Sequence, residues 1–367
     1  MDACFISCFT YSYVNHYVFW KLSLLLKGMI ISACLFCSQL MAQESVTLQL
    51  KWTHQFQFAG YYMAQQKGYY DEAGLDVTIV PADQKRPNSF GAVERGEAQF
   101  GVAHSGILQQ RIAGKPFVAM AAILQFSPYC WMVKESSDIF HARDFVNKRV
   151  SEVSKESNSE LLTMLKRSGI NIEKLAIYKG DKLQKAWMVN KIDAIEVYVT
   201  DLPYYMDQQG IAHRLICPQR YGMDVYADIL FTSDNMIKYH PDTVEKFYQA
   251  SLKGWRYAVM NMDEAIAITQ QFYAPERSFH QLAYEAEVLK DYIAPPSTNV
   301  GNMSMAKWRL IADLYEIDQT KFDEVKSDFI YKYKKQETLQ LSWMLIAAII
   351  ISIISIPLYL RLMFKAR

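Results

Sequence analysis

The chain has 367 residues, of which 51% are hydrophobic, and its 39 basic and 38 acidic residues give a formal net charge of +1. A chain of this length can bury a core large enough for two lobes. The balanced charge is spread along the sequence, so we expect no nucleic-acid or polyanion partner.

The first 42 residues are predicted to be a signal peptide. Lys21 and Lys27 come before a mostly apolar run from Gly28 to Met41, and the small residue Ala42 follows that run. This order is typical of a secretory signal, so we expect cleavage after Ala42. An uncleaved anchor helix is the alternative. The aromatic-rich sequence before Lys21 is unusual for a signal and leaves Met29 open as the true start.

A strand, a loop and a helix open the predicted domain. Apolar and polar residues alternate over residues 46–52, which is the period of a strand. Helix-forming residues at 59–66 end before Gly68, which suits a left-handed cap, and a second strand follows at 75–79. Open α/β sheets bind ligands beyond the carboxyl ends of their strands. The loop at 52–58 is therefore the first candidate binding site.

The same order of elements recurs along the chain. Further strands are predicted at 98–103, 117–124, 129–133, 149–153, 174–178 and 193–198, and helices at 90–95, 107–113, 159–167, 184–189, 304–315 and through much of 235–289. After the strand at 98–103, the turn that contains His104 and Ser105 would present free backbone N–H groups to a ligand acceptor. Ser105 could also act only as a helix cap. Trp187 is expected to pack in the core.

The opening segment also carries a family resemblance. Its sequence, QFQFAGYYMAQQKGYYDEAGLDV at residues 55–77, resembles the sulfonate- and thiamine-pyrimidine-type periplasmic solute-binding proteins, the SsuA/THI-like family. The resemblance extends over about residues 45–330. Within it, QFQFAGYY is most similar to members that form membrane sensor domains.

This resemblance implies an α/β fold with the two lobes of a type II-like periplasmic binding protein. The first lobe would comprise about residues 45–127 and 226–330, and the second about 130–222. The chain would cross between them near 127–130 and 221–226, and rotation at these crossings would close the lobes on a ligand.

The candidate ligand-binding residues lie mainly at predicted strand ends and in the loops that follow them. They are Trp52, His54, Gln57, Tyr61, Asp83, His104, Ser105, Glu152, Tyr198, Asp201, Tyr221, Asp224 and Tyr226. The aromatic rings could sandwich a flat ring, and the carboxylates could accept hydrogen bonds from ring amino groups. We therefore expect a small nitrogen heterocycle as the ligand, with a thiamine pyrimidine precursor first among the candidates.

An enzyme is the alternative that the resemblance raises. Its relatives include the hydroxymethylpyrimidine phosphate synthases, which use pyridoxal phosphate on a lysine, a nearby histidine, and iron near a run of cysteines. When Gly101 is aligned with that motif, Ala103 occupies the lysine position and Ile107 the histidine position, and residues 221–231 contain no cysteine. We therefore expect a binding protein without catalytic residues, cofactor or metal.

Two cysteines remain after the predicted signal peptide. Cys130 and Cys217 have no spacing typical of a metal site. We expect them to be two small buried hydrophobic residues, and a disulfide is the alternative.

The C-terminal segment is predicted to anchor the chain in a membrane. Residues 331–342 form a connector, and residues 343–364 contain one proline and one charged residue, Arg361. A span of about 20 apolar residues can cross a bilayer. Arg361, Lys365 and Arg367 place its far end, with the tail at 365–367, in the cytoplasm. We thus expect a single-pass inner-membrane protein with a periplasmic domain, whose partner is an ABC permease or a cytoplasmic signalling protein.

Overall fold

The computed structural model describes residues 43–83, 88–153, 158–180, 182–295 and 298–333. The predicted signal peptide and the predicted transmembrane helix lie outside these residues. Within the described part, no helix is both long and apolar enough to span a bilayer. The described residues up to Phe329 form one compact unit, and the few described residues beyond it belong to a second unit.

Two five-stranded sheets organise the first unit. The first sheet has the order β2-β1-β3-β10-β4 and the second β7-β6-β8-β5-β9. The strands are β1 (Glu44–Gln49), β2 (Leu75–Val80), β3 (Phe100–Ala103), β4 (Phe117–Leu124), β5 (Tyr129–Lys134), β6 (Arg149–Ser151), β7 (Ala176–Tyr178), β8 (Ala194–Tyr198), β9 (His213–Ile216) and β10 (Ala227–Ser233). We call the part built on each sheet the first and the second lobe.

Helices connect the strands and cover the sheets. They are α1 (Ala59–Gln66), α2 (Tyr69–Glu72), α3 (Ser89–Glu94), α4 (Ile107–Ile112), α5 (Asn158–Arg167), α6 (Leu183–Met188), α7 (Leu202–Gln208), α8 (Asp234–Tyr239), α9 (Pro241–Met260), α10 (Met262–Ile268), α11 (Phe279–Ile293), α12 (Met305–Leu314) and α13 (Gln319–Phe329). Short 3-10 turns, such as Phe56–Phe58, fill several of the loops.

The opening unit is a parallel β-α-β crossover. Val46 pairs with Val77 and Leu48 with Ile79 in parallel register, and α1 lies between the two strands in sequence. Helix α1 packs closely on α9 where Gly60 meets Gly254. A Cβ atom at Gly254 would lie only 2.2 Å from the carbonyl oxygen of Gly60. A side chain at this contact would force the two helices apart.

The chain passes between the lobes twice. It leaves the first sheet after β4 and returns as β10, which is inserted antiparallel between β3 and β4. In the second lobe, β5 lies antiparallel between β8 and β9. Trp187 is fully buried in the core of this lobe, which confirms the prediction that it packs there. The carboxyl ends of β1 and β8 and the start of β5 thus meet where the two lobes face each other.

A disulfide corrects the prediction for the two cysteines. Cys130 and Cys217 are bonded, with 4.3 Å between their Cα atoms. The register that pairs Trp131 with Ile216 places the two cysteines directly opposite each other on β5 and the residue after β9. Neighbouring antiparallel strands approach this closely at non-hydrogen-bonded pairs, so bonding needs no backbone movement.

Candidate ligand-binding site between the two lobes

A cavity of about 250 Å³ lies where the loop after β1 meets β5, β8 and the start of α7. Both lobes contribute to its wall, which is formed by Lys51, Trp52, Gln55, Gln57, Tyr129, Glu196, Val197, Tyr198, Asp201 and Leu202. Strand β1 ends at Gln49, and the loop at 52–58 begins soon after it. The backbone N–H of Leu50 donates a hydrogen bond of 2.8 Å to the carbonyl oxygen of Val80, which holds the start of this loop beside β2.

Lys51 brings a buried positive charge to the cavity. Its ammonium group lies 2.6 Å from Oδ1 of Asp228, and the two side chains are only 4% and 1% exposed. The same ammonium group lies 5.7 Å from the ring centre of Tyr129 and 5.5 Å from that of Tyr198. Lys51 thus links β10 of the first lobe to two aromatic rings of the second, through an ion pair and two cation-π contacts.

Aromatic side chains supply the apolar part of the wall. Tyr129 and Tyr198 pair across β5 and β8, with an edge-to-face ring contact of 5.3 Å. Trp52 is 50% exposed, so part of its side chain is accessible to a ligand. Burial, with the charge of Asp228 nearby, raises the pKa of Tyr198 well above its usual value and keeps its hydroxyl protonated.

Two amide side chains form the polar part of the first-lobe wall. Gln55 and Gln57 are each 1% exposed, and Nε2 of Gln55 donates a hydrogen bond to Oε1 of Gln57. Oε1 of Gln55, Nε2 of Gln57 and the hydroxyl of Tyr198 have no partner among the described residues. Buried polar groups are normally paired. The side chains of Gln55, Gln57 and Tyr198 all line one cavity, where a polar ligand could supply partners for these three groups.

A network of charges connects the loop to the opposite lobe. The backbone N–H of Phe56 donates to Oε2 of Glu285 at 2.9 Å, and Oε1 of Glu285 lies 2.6 Å from Nη1 of Arg277. The same Nη1 is 3.9 Å from Oδ1 of Asp201, on the second-lobe wall. Burial raises the pKa of Glu285 to about 7 and also raises the pKa of Asp201, while Arg277 opposes both shifts.

A second cavity, of about 540 Å³, lies within the first lobe and shares Lys51 with the first cavity. His104 is on its wall, in edge-to-face contact with Phe90, and accepts a hydrogen bond of 3.1 Å from the N–H of Gly106 through Nδ1. Burial and the nearby charge of Lys51 lower the pKa of His104 to about 3. The ring is therefore neutral at pH 7, with its proton on Nε2.

Ser105 belongs to a different interlobe contact. Its hydroxyl donates to Oε1 of Glu160 at 3.2 Å and is also hydrogen-bonded to the hydroxyl of Tyr315. Burial raises the pKa of Glu160 to about 7, although hydrogen bonds to the carboxylate oppose that shift. Ser105 thus holds the two lobes together and does not line either cavity.

The structure gathers four of the thirteen predicted residues around the first cavity, namely Trp52, Gln57, Tyr198 and Asp201. The turn near the second crossing makes other contacts. Asp224 pairs with Lys307 at 2.7 Å, and the hydroxyl of Tyr226 accepts a hydrogen bond from the N–H of Ser304. The hydroxyl of Tyr221 accepts one from the N–H of Ala142. The structure therefore does not bring Tyr221, Asp224 and Tyr226 into the cavity wall.

The other predicted residues also lie away from that wall. Nδ1 of His54 is 2.9 Å from the hydroxyl of Tyr62, and burial lowers the pKa of His54. Tyr61 is fully buried, with its ring edge-on to Trp255. Glu152 accepts a hydrogen bond from the N–H of Gly180. Asp83 is exposed on the loop after β2.

Several residues of the cavity wall were not among the predictions. Lys51, Gln55, Tyr129 and Glu196 all line it. Gln55 lies inside the loop that the sequence marked as the first candidate, and Tyr129 is the first residue after the crossing between lobes. Position in the chain could have identified these two. Glu196 lies in mid-strand, where the sequence gives no such signal.

The positions compared with the synthases are apolar and buried. Ala103 and Ile107 are 1% and 0% exposed, so neither an amine nor an imidazole stands there. Within the described residues, no group of three or more His, Cys, Asp or Glu side chains could hold a metal ion.

Comparison with known proteins agrees with this architecture. The riboflavin-binding protein RibY of Chloroflexus aurantiacus is 26% identical over 259 residues, which cover 68% of this chain and 72% of RibY. The formylaminopyrimidine-binding protein of Halalkalibacterium halodurans is 23% identical over 278 residues, which cover 73% of this chain and 83% of that protein.

A solved structure shows the same fold. The periplasmic aliphatic sulphonate binding protein SsuA from Escherichia coli is similar with a TM-score of 0.59 at 14% identity, over 81% of this chain and 95% of its own. The two-sheet α/β architecture is thus that of periplasmic binding proteins, as the resemblance implied. The family model described as NMT1/THI5 like matches residues 55–265, more than half of the chain, and this protein therefore belongs to the NMT1/THI5-like family.

Proposed function

We propose that this protein is a membrane-anchored, extracytoplasmic receptor for a small planar nitrogen heterocycle, and that a thiamine pyrimidine precursor is its leading candidate ligand. The observation that carries the proposal is the interlobe cavity, which combines the rings of Trp52, Tyr129 and Tyr198 with unpaired buried polar groups. Aromatic rings hold a flat ligand, and buried polar groups select among flat ligands because a wrong one leaves them unpaired.

The size of the cavity favours a ligand of one ring. Its volume of about 250 Å³ lies just below the range of roughly 300–1,000 Å³ that is usual for sites of drug-sized ligands. The names of the two relatives, riboflavin-binding and formylaminopyrimidine-binding, both refer to planar nitrogen heterocycles. A pyrimidine is the smaller of these two ligand classes, so the volume supports it over a three-ring flavin.

Binding would be coupled to lobe closure. Gln57 and Trp52 come from the first lobe, and Tyr198 and Asp201 from the second, so a ligand that contacts all four stabilises the arrangement in which the lobes approach. Small-angle scattering should show a smaller radius of gyration with saturating ligand. An unchanged radius would refute this closure.

The disulfide supports a location outside the cytoplasm. The bond between Cys130 and Cys217 persists in oxidising compartments and is rare in a reducing cytosol. Protease added to spheroplasts should therefore digest the domain and leave a C-terminal tag intact. Cleavage of the tag with protection of the domain would show the opposite orientation.

Calorimetry on the full-length protein tests the ligand class. The panel contains hydroxymethylpyrimidine, its formylamino relative, thiamine, riboflavin and an alkanesulfonate. We expect a pyrimidine to bind most tightly. A sulfonate that binds in preference to every heterocycle would refute the proposal. Addition of pyridoxal phosphate tests the synthase alternative, which predicts imine absorbance. We expect none, because Ala103 stands at the lysine position.

A further inference from the structure

We propose that Gln55 and Gln57 together recognise a ligand edge on which one hydrogen-bond donor lies beside one acceptor, as in an aminopyrimidine or a cyclic amide. The inference rests on the proposed function, in that the interlobe cavity is taken as the binding site. It adds the chemical pattern that a ligand must present there.

The pattern follows from the hydrogen-bonding capacity of two carboxamides. Each amide group has a carbonyl acceptor and an NH2 donor. The bond from Nε2 of Gln55 to Oε1 of Gln57 leaves Oε1 of Gln55 as an acceptor and Nε2 of Gln57 as a donor. Neither atom has a partner among the residues that the structure describes.

The conclusion does not depend on the assignment of amide oxygen and nitrogen. If both amides were flipped, Nε2 of Gln57 would donate to Oε1 of Gln55, and the free atoms would be Nε2 of Gln55 and Oε1 of Gln57. One donor and one acceptor remain free in either case. The two amides are bonded to each other and both side chains line the cavity, so we infer that one edge of a ligand pairs with both free groups.

The backbone that carries the two amides is fixed in place. Phe56 lies between them, and its N–H donates to Glu285, which is fully buried and paired with Arg277 at 2.6 Å. The side chain of Phe56 is itself buried. The amide pair is therefore preorganised, which lowers the entropy cost of binding a ligand with the matching edge.

The same reasoning excludes some ligands. A sulfonate presents only acceptors, so it would leave Oε1 of Gln55, or Oε1 of Gln57 after a flip, buried without a donor. A planar ring with an amino group beside a ring nitrogen, or an N–H beside a carbonyl, pairs both free groups at once. Carboxamides read the donor and acceptor of adenine in this bidentate manner.

Matched ligands test the inference on the unaltered full-length protein. The first set is 4-amino-5-hydroxymethyl-2-methylpyrimidine, the analogue with hydrogen in place of the amino group, and the analogue with C–H in place of the adjacent ring nitrogen. Riboflavin and N3-methylriboflavin form a second set. We expect that removal of the donor or the acceptor weakens the binding of the better parent compound by about 10- to 100-fold.

A variant then assigns the effect to the amide pair. Gln57→Glu removes the NH2 donor of residue 57. The carboxylate can only accept, so the amide of Gln55 must turn its Nε2 toward residue 57, and the two oxygens left free are both acceptors. The variant should weaken binding of the aminopyrimidine, and the analogue without the ring nitrogen should then bind no worse than its parent. Gln125→Met is the matched control, because Gln125 is a buried amide whose Nε2 donates to the carbonyl groups of Ala122 and Asn302, outside the cavity. It should keep the wild-type preference among the analogues.

The outcomes separate the two proposals. If a parent compound binds and its analogues bind within threefold of it, the edge inference is wrong and the proposed function stands. If no heterocycle of either set binds, the proposed function fails and this inference fails with it. If Gln57→Glu does not fold, the analogue series on the wild-type protein still decides the question.

Discussion

Replacement of Lys51 by methionine should strongly destabilise the protein, although the ion pair that it breaks adds little net stability. Lys51 and Asp228 lie 2.6 Å apart and are both almost fully buried. At that distance their attraction is about 6 kcal/mol for an effective dielectric constant of 20. The loss of hydration costs several kcal/mol for each ion, so the intact pair contributes roughly nothing.

The single variant loses the attraction and keeps one cost. In Lys51→Met, Asp228 stays buried without its cation, and an uncompensated buried charge is strongly destabilising. We therefore expect the free energy of unfolding to fall by about 3–5 kcal/mol.

Urea unfolding of the full-length protein at neutral pH measures this effect. The matched control is the double variant Lys51→Met with Asp228→Asn, which removes both charges and should recover most of the stability. Asparagine suits the position, because residue 228 has φ of 48° and asparagine adopts that region readily. A single variant within about 1 kcal/mol of the wild type, or a double variant no better than the single one, would refute the reasoning.

Three further predictions concern the cavity, an interlobe carboxylate and the disulfide. Trp52→Ala should lower ligand affinity about fivefold at unchanged thermal stability, because half of the side chain is exposed and a stacked ring contributes about 1 kcal/mol. The control is Phe140→Ala, at a side chain that is 55% exposed and outside the cavity wall. Burial raises the pKa of Glu160 to about 7, so the folded protein holds a proton that the unfolded chain releases. The contribution of Glu160 to the free energy of unfolding is full below the pKa that it has in the unfolded chain, and it should decline by about 2 kcal/mol between pH 5 and pH 8. In Glu160→Gln, the free energy of unfolding should depend less steeply on pH across that range. An unchanged pH dependence would exclude this residue as the source. The Cys130→Ser, Cys217→Ser double variant should lose about 2–5 kcal/mol of unfolding free energy, since the bond closes a loop with a sequence separation of 87, and equal urea midpoints for wild type and variant would contradict this.

Local signals in the sequence were sufficient for much of the fold. The predicted helix at 59–66 is α1, and the predicted strand at 117–124 is β4, with the same bounds. Helix formers followed by Gly68, which has φ of 71°, define the end of α1 without help from distant residues. The long apolar run of β4 is buried at every position and needs no partner to be recognised.

Features that depend on distant partners were beyond the sequence. Strand β1 was predicted to reach residue 52 but ends at Gln49, because Lys51 turns to pair with Asp228 on β10. The prediction of two unbonded cysteines was wrong for a related reason, since only the β5–β9 register places Cys130 opposite Cys217. No local pattern shows either pairing.

The same difference between local signals and distant contacts explains which predicted site residues line the cavity. Trp52 and Asp201 were predicted from their positions after strands, and they do line the cavity. Asp224 was chosen on similar grounds, but Lys307 on α12 pairs with it. Arg277, which lies 3.9 Å from Asp201, comes from a loop that carries no strand-end signal. The contacts of each polar side chain with elements far away in sequence decide which candidates reach the ligand.

The disulfide also limits how the lobes can move. Cys130 follows the first crossing between the lobes, and Cys217 precedes the second, so both connections start from one covalently joined point on the second sheet. The two connections therefore share one second-lobe end, and we expect them to move together when the lobes rotate. A distance between two spectroscopic labels, one on each lobe, would measure that shared movement.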